Sequence, residues 1–344
     1  MDDIEKSNKV HTLDKQCEGL SIIAVFFVHC QLYYGLTLHG TNLFIHPWYV
    51  NAFFFVSGYL LFWKQLTAPK ILEDKRKFAV GEGQIIIQEY CIQNCYTIRF
   101  FSFIEFLPSS LIQGRSIEVS NLIFKTLGGQ TYWFTSALVV AELLILLMLF
   151  TRRKSIWFYA IISIAVGACG IWMALNGIRL LSKNWWAYRQ GLIAVLFLVF
   201  GGLYWRYEKA MEKTLNWWGC LLLLLAMIAI ILLCDNADPL ISTLSTQPLG
   251  VVTSLIACVL LVQLCKLLPE VKPLTFVGQN SIGFYFMSGA LPITFGLIAH
   301  KLVAGSHGWV MLAVWLACLA VAYVAVMIIN HWLPWLWDLR KVKK

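Results

Sequence analysis

The sequence predicts an all-α integral membrane protein of about ten transmembrane helices, and three observations carry that prediction. The 344 residues are 59% hydrophobic and 13% charged, with a mean hydropathy of +0.71, whereas a soluble domain carries about 25% charge. The apolar residues fall in long unbroken runs instead of amphipathic stripes. Lys and Arg are also spread unevenly among the connections between those runs, as they are in polytopic membrane proteins.

The runs are read as spans at about 20–38, 48–66, 96–113, 132–150, 156–175, 190–205, 216–234, 249–268, 281–299 and 309–335. Each is near the roughly 20 residues that cross a bilayer. The segment before the first run, 1–19, is polar and mixed in charge, without the basic-then-apolar pattern of a signal peptide. It is expected to stay cytoplasmic, with the first run kept as a helix. Ile85–Asn94, ahead of the third run, reads as an interfacial helix. With ten spans, 21 of the 27 Lys and Arg residues lie on the cytoplasmic side. The six on the other side are Arg115, Lys125, Arg179, Lys183, Arg189 and Lys301. That split predicts an N-in, C-in topology. The whole chain, 1–344, reads as a single membrane domain, with a bundle at 20–335 and a basic cytoplasmic tail at 336–344.

The outer connections, 39–47, 114–131, 176–189, 235–248 and 300–308, are too short to build a separate domain. Trp185, Trp186 and Tyr188, and Trp332, Trp335 and Trp337, read as interfacial aromatics. Net charge is +9, but no basic stripe lies on a soluble face, so a nucleic-acid partner is not expected. The Lys75-Arg76-Lys77 cluster fits anionic membrane lipid. The ten cysteines show no metal-ligand spacing, and neither disulfides nor a metal site is expected.

Chemistry concentrates in Leu20–Trp63. His29 stands roughly ten residues into the first run, about 15 Å at 1.5 Å per residue, which predicts a place near mid-membrane. Ionisable groups within spans are costly and functional by default. Two readings of His29 are open: a proton acceptor, or a hydrogen-bonding strut between helices. Ser57-Gly58-Tyr59 is expected to let the second helix approach the first closely. Glu142, in the fourth run, needs a partner or a proton if buried, and Glu105, in the third, is similar. Glu142 is a candidate to orient His29 or to contact a sugar, and a structural hydrogen bond is the alternative. Trp133 reads as a sugar-stacking or an interfacial ring. Tyr59 reads as a substrate contact or as packing. Asn280 and Ser281 read as caps of the ninth helix, and Ser288 and Pro292 as the site of a kink within it. His39, His46, His300 and His307 fall in outer connections and read as solvated.

Four blocks carry a resemblance. Leu13–His29 is similar to the opening helix of the acyltransferase 3 family. Phe53–Leu61 resembles that family's FFFISGYLL run, Tyr132–Leu138 its WFLPALF segment, and Phe276–Tyr285 its late GKNSLxIY block. These families are membrane-embedded acyltransferases that typically acetylate sugar hydroxyls on bacterial glycans. The resemblance implies that His29 takes a proton from the acceptor hydroxyl, and that acetyl-CoA or another acyl-CoA is the donor. It implies a carbohydrate or lipid-linked glycan acceptor and a bacterial cytoplasmic membrane. The family commonly has basic residues where this chain has Glu18 and Tyr96, and cationic side chains there are expected to hold coenzyme A phosphates. Lys15 and Arg99 are the residues placed to do so here. The other classes that the sequence admits are a transporter or flippase of a polar solute or lipid-linked glycan, and a family member that has lost catalysis.

Overall fold

A computed structural model describes residues 2–67, 123–125, 127–129, 131–149, 151, 155–178, 184–233, 244–303, 305 and 307–333. The helices are α1 (Asp2–Tyr34), α2 (His39–Ile45), α3 (Asn51–Thr67), α4 (Trp133–Leu149), α5 (Ile156–Leu175), α6 (Tyr188–Thr214), α7 (Trp217–Leu233), α8 (Pro248–Leu267), α9 (Lys272–Gln279), α10 (Ser281–Leu302) and α11 (Gly308–Trp332). A 3-10 turn, Trp185–Ala187, precedes α6. Among the described residues all regular structure is helical.

Six helical stretches are long and apolar enough to cross a membrane: Asp14–Tyr34, Ile156–Leu175, Trp185–Thr214, Pro248–Leu267, Ser281–Leu302 and Gly308–Trp332. Asn51–Phe62, Trp133–Leu149 and Trp217–Leu233 are shorter apolar helices. Each expected span within the described residues therefore falls on an apolar helix, and the chain is an integral membrane protein. The expected third span, 96–113, and the interfacial helix at Ile85–Asn94 lie outside the described residues, as do Trp335, Trp337 and the basic tail.

The first span differs from expectation at both ends. α1 begins far earlier, inside the segment read as polar, and stops at Tyr34. It stops because Gly35 takes φ +70° and the Leu36 N–H returns to the Gln31 carbonyl at 3.1 Å. That is a left-handed cap whose geometry glycine adopts without a Cβ clash. The short helices α2 and α9 lie where the sequence was read as connection.

The described chain forms two compact units, Met1–Val56 with Glu208–Leu333, and Ser57–Tyr207. In the first, α1 is the central helix and packs against α8, α9, α10 and α11. Ile22, Phe26, Cys30 and Tyr34, each four residues after the last, are fully buried along one side of it. The contacts also fix direction. Ser281 meets Glu18, Ser288 meets His29 and Gly296 lies against Tyr33, so α10 runs parallel to α1. Asn330, late in α11, reaches Asn280 at the start of α10, so α11 runs antiparallel to it. The N–H of Val271, just past α8, bonds Gln16 at 3.1 Å, so α8 runs toward the same end of α1.

Lipid tails are as apolar as leucine, so close backbone approach holds membrane helices together more than burial does. α9 crosses α1 in this way. A Cβ built on Gly278 would stand 1.8 Å from the Lys15 carbonyl oxygen, and one on Gly19 2.3 Å from that of Leu274. Beyond α1, the buried Tyr34 hydroxyl donates to the Gly305 carbonyl and accepts from the His307 N–H, both at 3.2 Å. Its ring stacks on His300 with centroids 4.7 Å apart, so His300 is exposed yet packed on one face. Tyr34→Phe removes both bonds and is expected to cost about 1–3 kcal/mol, at about 0.5–1.5 kcal/mol for each. The fall appears in the thermal midpoint of the detergent-solubilised protein.

In the second unit the central helix is α6, where every residue from Ile193 to Val199 is buried. The close approach expected between the first two helices lies here instead. A Cβ on Gly58 would stand 1.9 Å from the Leu198 carbonyl oxygen, so the small residue of α3 serves its packing on α6.

Candidate functional site

His29 sits on the side of α1 that faces α10, half-buried. Because α1 ends at Tyr34, His29 is five residues, about 8 Å, from that end. Its Nδ1 lies 2.6 Å from the backbone carbonyl of Ser288. A carbonyl oxygen only accepts, so Nδ1 carries the hydrogen and donates. In the neutral ring Nε2 then holds the lone pair and is the proton-accepting nitrogen. The Tyr33 ring stands edge-on at 6.2 Å. On another face of α1, the Trp315 indole N–H donates to the Ile23 carbonyl and its ring meets Phe27 at 5.4 Å. Two charge-free hydrogen bonds and one aromatic contact thus tie the helix that carries the imidazole to its neighbours.

At the other end of the α1 span, Ser281 donates to Glu18 Oε2 at 2.9 Å. The carboxyl group therefore meets the N-terminus of α10, where the helix dipole favours negative charge. Glu18 is a link between two helices at the position where a basic residue was expected. Lys15 is half-buried one turn earlier, its backbone pressed by Gly278. The expected capping by Asn280 and Ser281 does not occur. The Asn280 amide donates to the Phe276 carbonyl at 2.8 Å and its oxygen accepts from Asn330, while Ser281 is engaged with Glu18. Nearby, Lys266 pairs with Glu208 at 2.6 Å and Glu212 at 3.1 Å, tying α8 to the end of α6.

The remaining candidates belong to the second unit or lie outside the described residues. Tyr59 is buried, with the Tyr204 ring 6.1 Å away. Trp133 opens α4 and is half-buried, and Glu142 is half-buried farther along that helix. Nine residues of regular helix separate them, which puts them on opposite faces, about 14 Å apart along the axis. The group that meets His29 Nδ1 is the Ser288 carbonyl. Arg99 and Glu105 lie outside the described residues.

The corner ahead of Trp133 was not legible in the sequence. Ser136 donates to the Gly129 carbonyl at 2.8 Å, and the Trp186 N–H donates to the Gly128 carbonyl at 2.7 Å. Trp186 and Ala187 both take positive φ, 55° and 48°, a conformation unusual for residues with a Cβ. The partner of His29 was legible only in part. A proline four residues after Ser288 is the signal that its carbonyl needs an outside donor.

An apolar helical bundle with an imidazole bonded between two of its helices defines an integral membrane protein. Residues 17–332 match the sequence model of the acyltransferase 3 family, described as an acyltransferase domain. The chain belongs to that family of membrane acyltransferases. No curated protein and no solved structure gives a significant match to it.

Proposed function

We propose that this protein transfers an acyl group, acetyl by preference, from cytoplasmic acyl-CoA to a carbohydrate hydroxyl of a polysaccharide or lipid-linked glycan. The observation that carries the reading is the His29 imidazole, held through Nδ1 by Ser288 with Nε2 as its accepting nitrogen. The acceptor hydroxyl gives its proton to Nε2 as its oxygen attacks the thioester carbonyl carbon. The carbon–sulfur bond breaks, and the coenzyme A thiolate leaves and takes a proton. Lys15 and Arg99 hold the donor phosphates, Tyr59 and Trp133 contact the acceptor, and Glu142 binds a sugar hydroxyl.

The chain sits in a bacterial cytoplasmic membrane with ten spans and both termini inside. The parallel course of α1 and α10, with α8 and α11 opposed, is the alternation that spans one, nine, eight and ten require. Glu18, where the family carries a basic residue, favours a second reading, a relative that binds a partner without catalysis.

Labelled acetyl-CoA supplied to inverted membrane vesicles separates the two. The proposal expects alkali-labile label in the glycan fraction only when the protein is present. Absence of such label across acyl donors sinks it. Lys15→Ala is expected to raise KM for the donor about 10-fold with kcat little changed, since one charge-assisted contact is worth about 1.5–3 kcal/mol. Donor titrations at fixed acceptor read this out.

A further inference from the structure

We propose that Pro292 is a positioning residue, which keeps the Ser288 carbonyl available to His29 and so fixes the tautomer of the proposed base. The inference rests on the reading of His29 as that base.

α10 is continuous from Ser281 to Leu302 with Pro292 inside it. In such a helix the N–H of residue 292 closes onto the carbonyl of residue 288. Proline has no N–H, and its ring presses on that same carbonyl and turns it off the axis. A backbone acceptor freed in this way inside a membrane is satisfied by a neighbouring helix, a Ser or Thr side chain, an ordered water or a local adjustment of the helix. Ser288 does not satisfy its own carbonyl, because its hydroxyl donates to Tyr285 at 2.7 Å. The donor is His29 Nδ1, at 2.6 Å. The pairing is held in register from both sides. Glu18 grips Ser281 at one end, and Gly296 lies against the Tyr33 backbone at the other, where an added Cβ would meet the Tyr33 oxygen at 3.2 Å. The proline is buried, and no polar atom of its own is spent on the contact. What it contributes is an absence: one missing N–H converts a helix carbonyl into the acceptor that points the imidazole.

The test is nitrogen-15 solid-state NMR of the full chain in bilayers with labelled histidine, the His29 signals being assigned by their loss in His29→Gln. The wild type is expected to show protonated Nδ1 and bare Nε2. Pro292→Ala returns an N–H to the Ser288 carbonyl and is expected to bring in a second His29 species. Its kcat is expected to fall about 10-fold, as when a partner that orients a functional histidine is removed, with donor KM within about twofold. Lactic acid placed at position 292 has neither ring nor N–H. It is expected to restore the single tautomer and most of the rate, which separates the missing donor from the shape of the ring.

A Pro292→Ala protein with the wild-type tautomer and rate overturns the proposal, as does a lactic acid protein that behaves like Pro292→Ala. Should Pro292→Ala fail to fold, the lactic acid protein decides alone: retention of the single tautomer supports the proposal and its loss overturns it. A wild type with protonated Nδ1 but no acyl transfer supports the positioning and removes the catalytic reading. A wild type with protonated Nε2 overturns the positioning whatever the transfer.

Discussion

His29→Ala is expected to lower acyl transfer by about 100-fold or more at equal membrane abundance, within the 10²–10⁴ that a placed general base contributes. The argument is geometric. One nitrogen of the ring is committed to the Ser288 carbonyl, so the other is the acceptor and its direction is set. Loss of the side chain removes the acceptor and leaves the Ser288 carbonyl without the donor that met it. If the role is proton acceptance, KM for the donor stays near its wild-type value while kcat falls. Added imidazole should then return part of the lost rate by occupying the vacated space. If His29 were only a strut between helices, thermal stability would fall and imidazole would restore nothing. Kinetics and melting on the same preparations tell these apart.

The largest structural loss is expected at Gly278. A Cβ there would lie 1.8 Å from the Lys15 carbonyl oxygen, well inside any tolerable contact, and the obstacle is backbone that cannot rotate away. Gly278→Val must push α9 off α1. The cost is expected at about 3 kcal/mol or more, in the range reserved for overpacking of a core. Melting of the solubilised protein and its recovery as a single species are the measurements. Gly40→Ala is the matched control, since a Cβ there meets nothing within 4 Å, and a change under about 0.5 kcal/mol is expected. The two glycines look alike in sequence and differ only in what lies opposite.

Much of the fold was readable because length and composition of apolar runs are strong signals in a bilayer. Ile156–Leu175 fell where it was expected to the residue, and the ends of α8 and α10 lie within a few residues of theirs. The errors came where apolarity stops being the deciding term. α1 ends early because of a backbone turn at Gly35, although apolar residues continue to Leu38. α9 was missed because eight residues with a proline and a lysine carry little hydropathy signal, and its place is fixed by Gly19 and Gly278 against α1. Gly58 was recognised as a point of close approach but given the wrong partner, because small residues announce a contact without naming the other helix.

The site followed the same rule. His29 stood out because an imidazole in an apolar run is rare, yet its partner is a main-chain carbonyl 259 residues away, which no side-chain pattern reveals. Glu18 read as a missing cation and proved to be bonded to Ser281, a contact created by the parallel course of α1 and α10.

The most direct measurement uses purified protein in proteoliposomes, with labelled acetyl-CoA and a glycan acceptor, comparing the wild type with His29→Ala. The account expects ester-linked label on the acceptor at a rate that falls about 100-fold in the variant. Equal transfer by both proteins, or movement of the acceptor across the bilayer without any acylation, would contradict it.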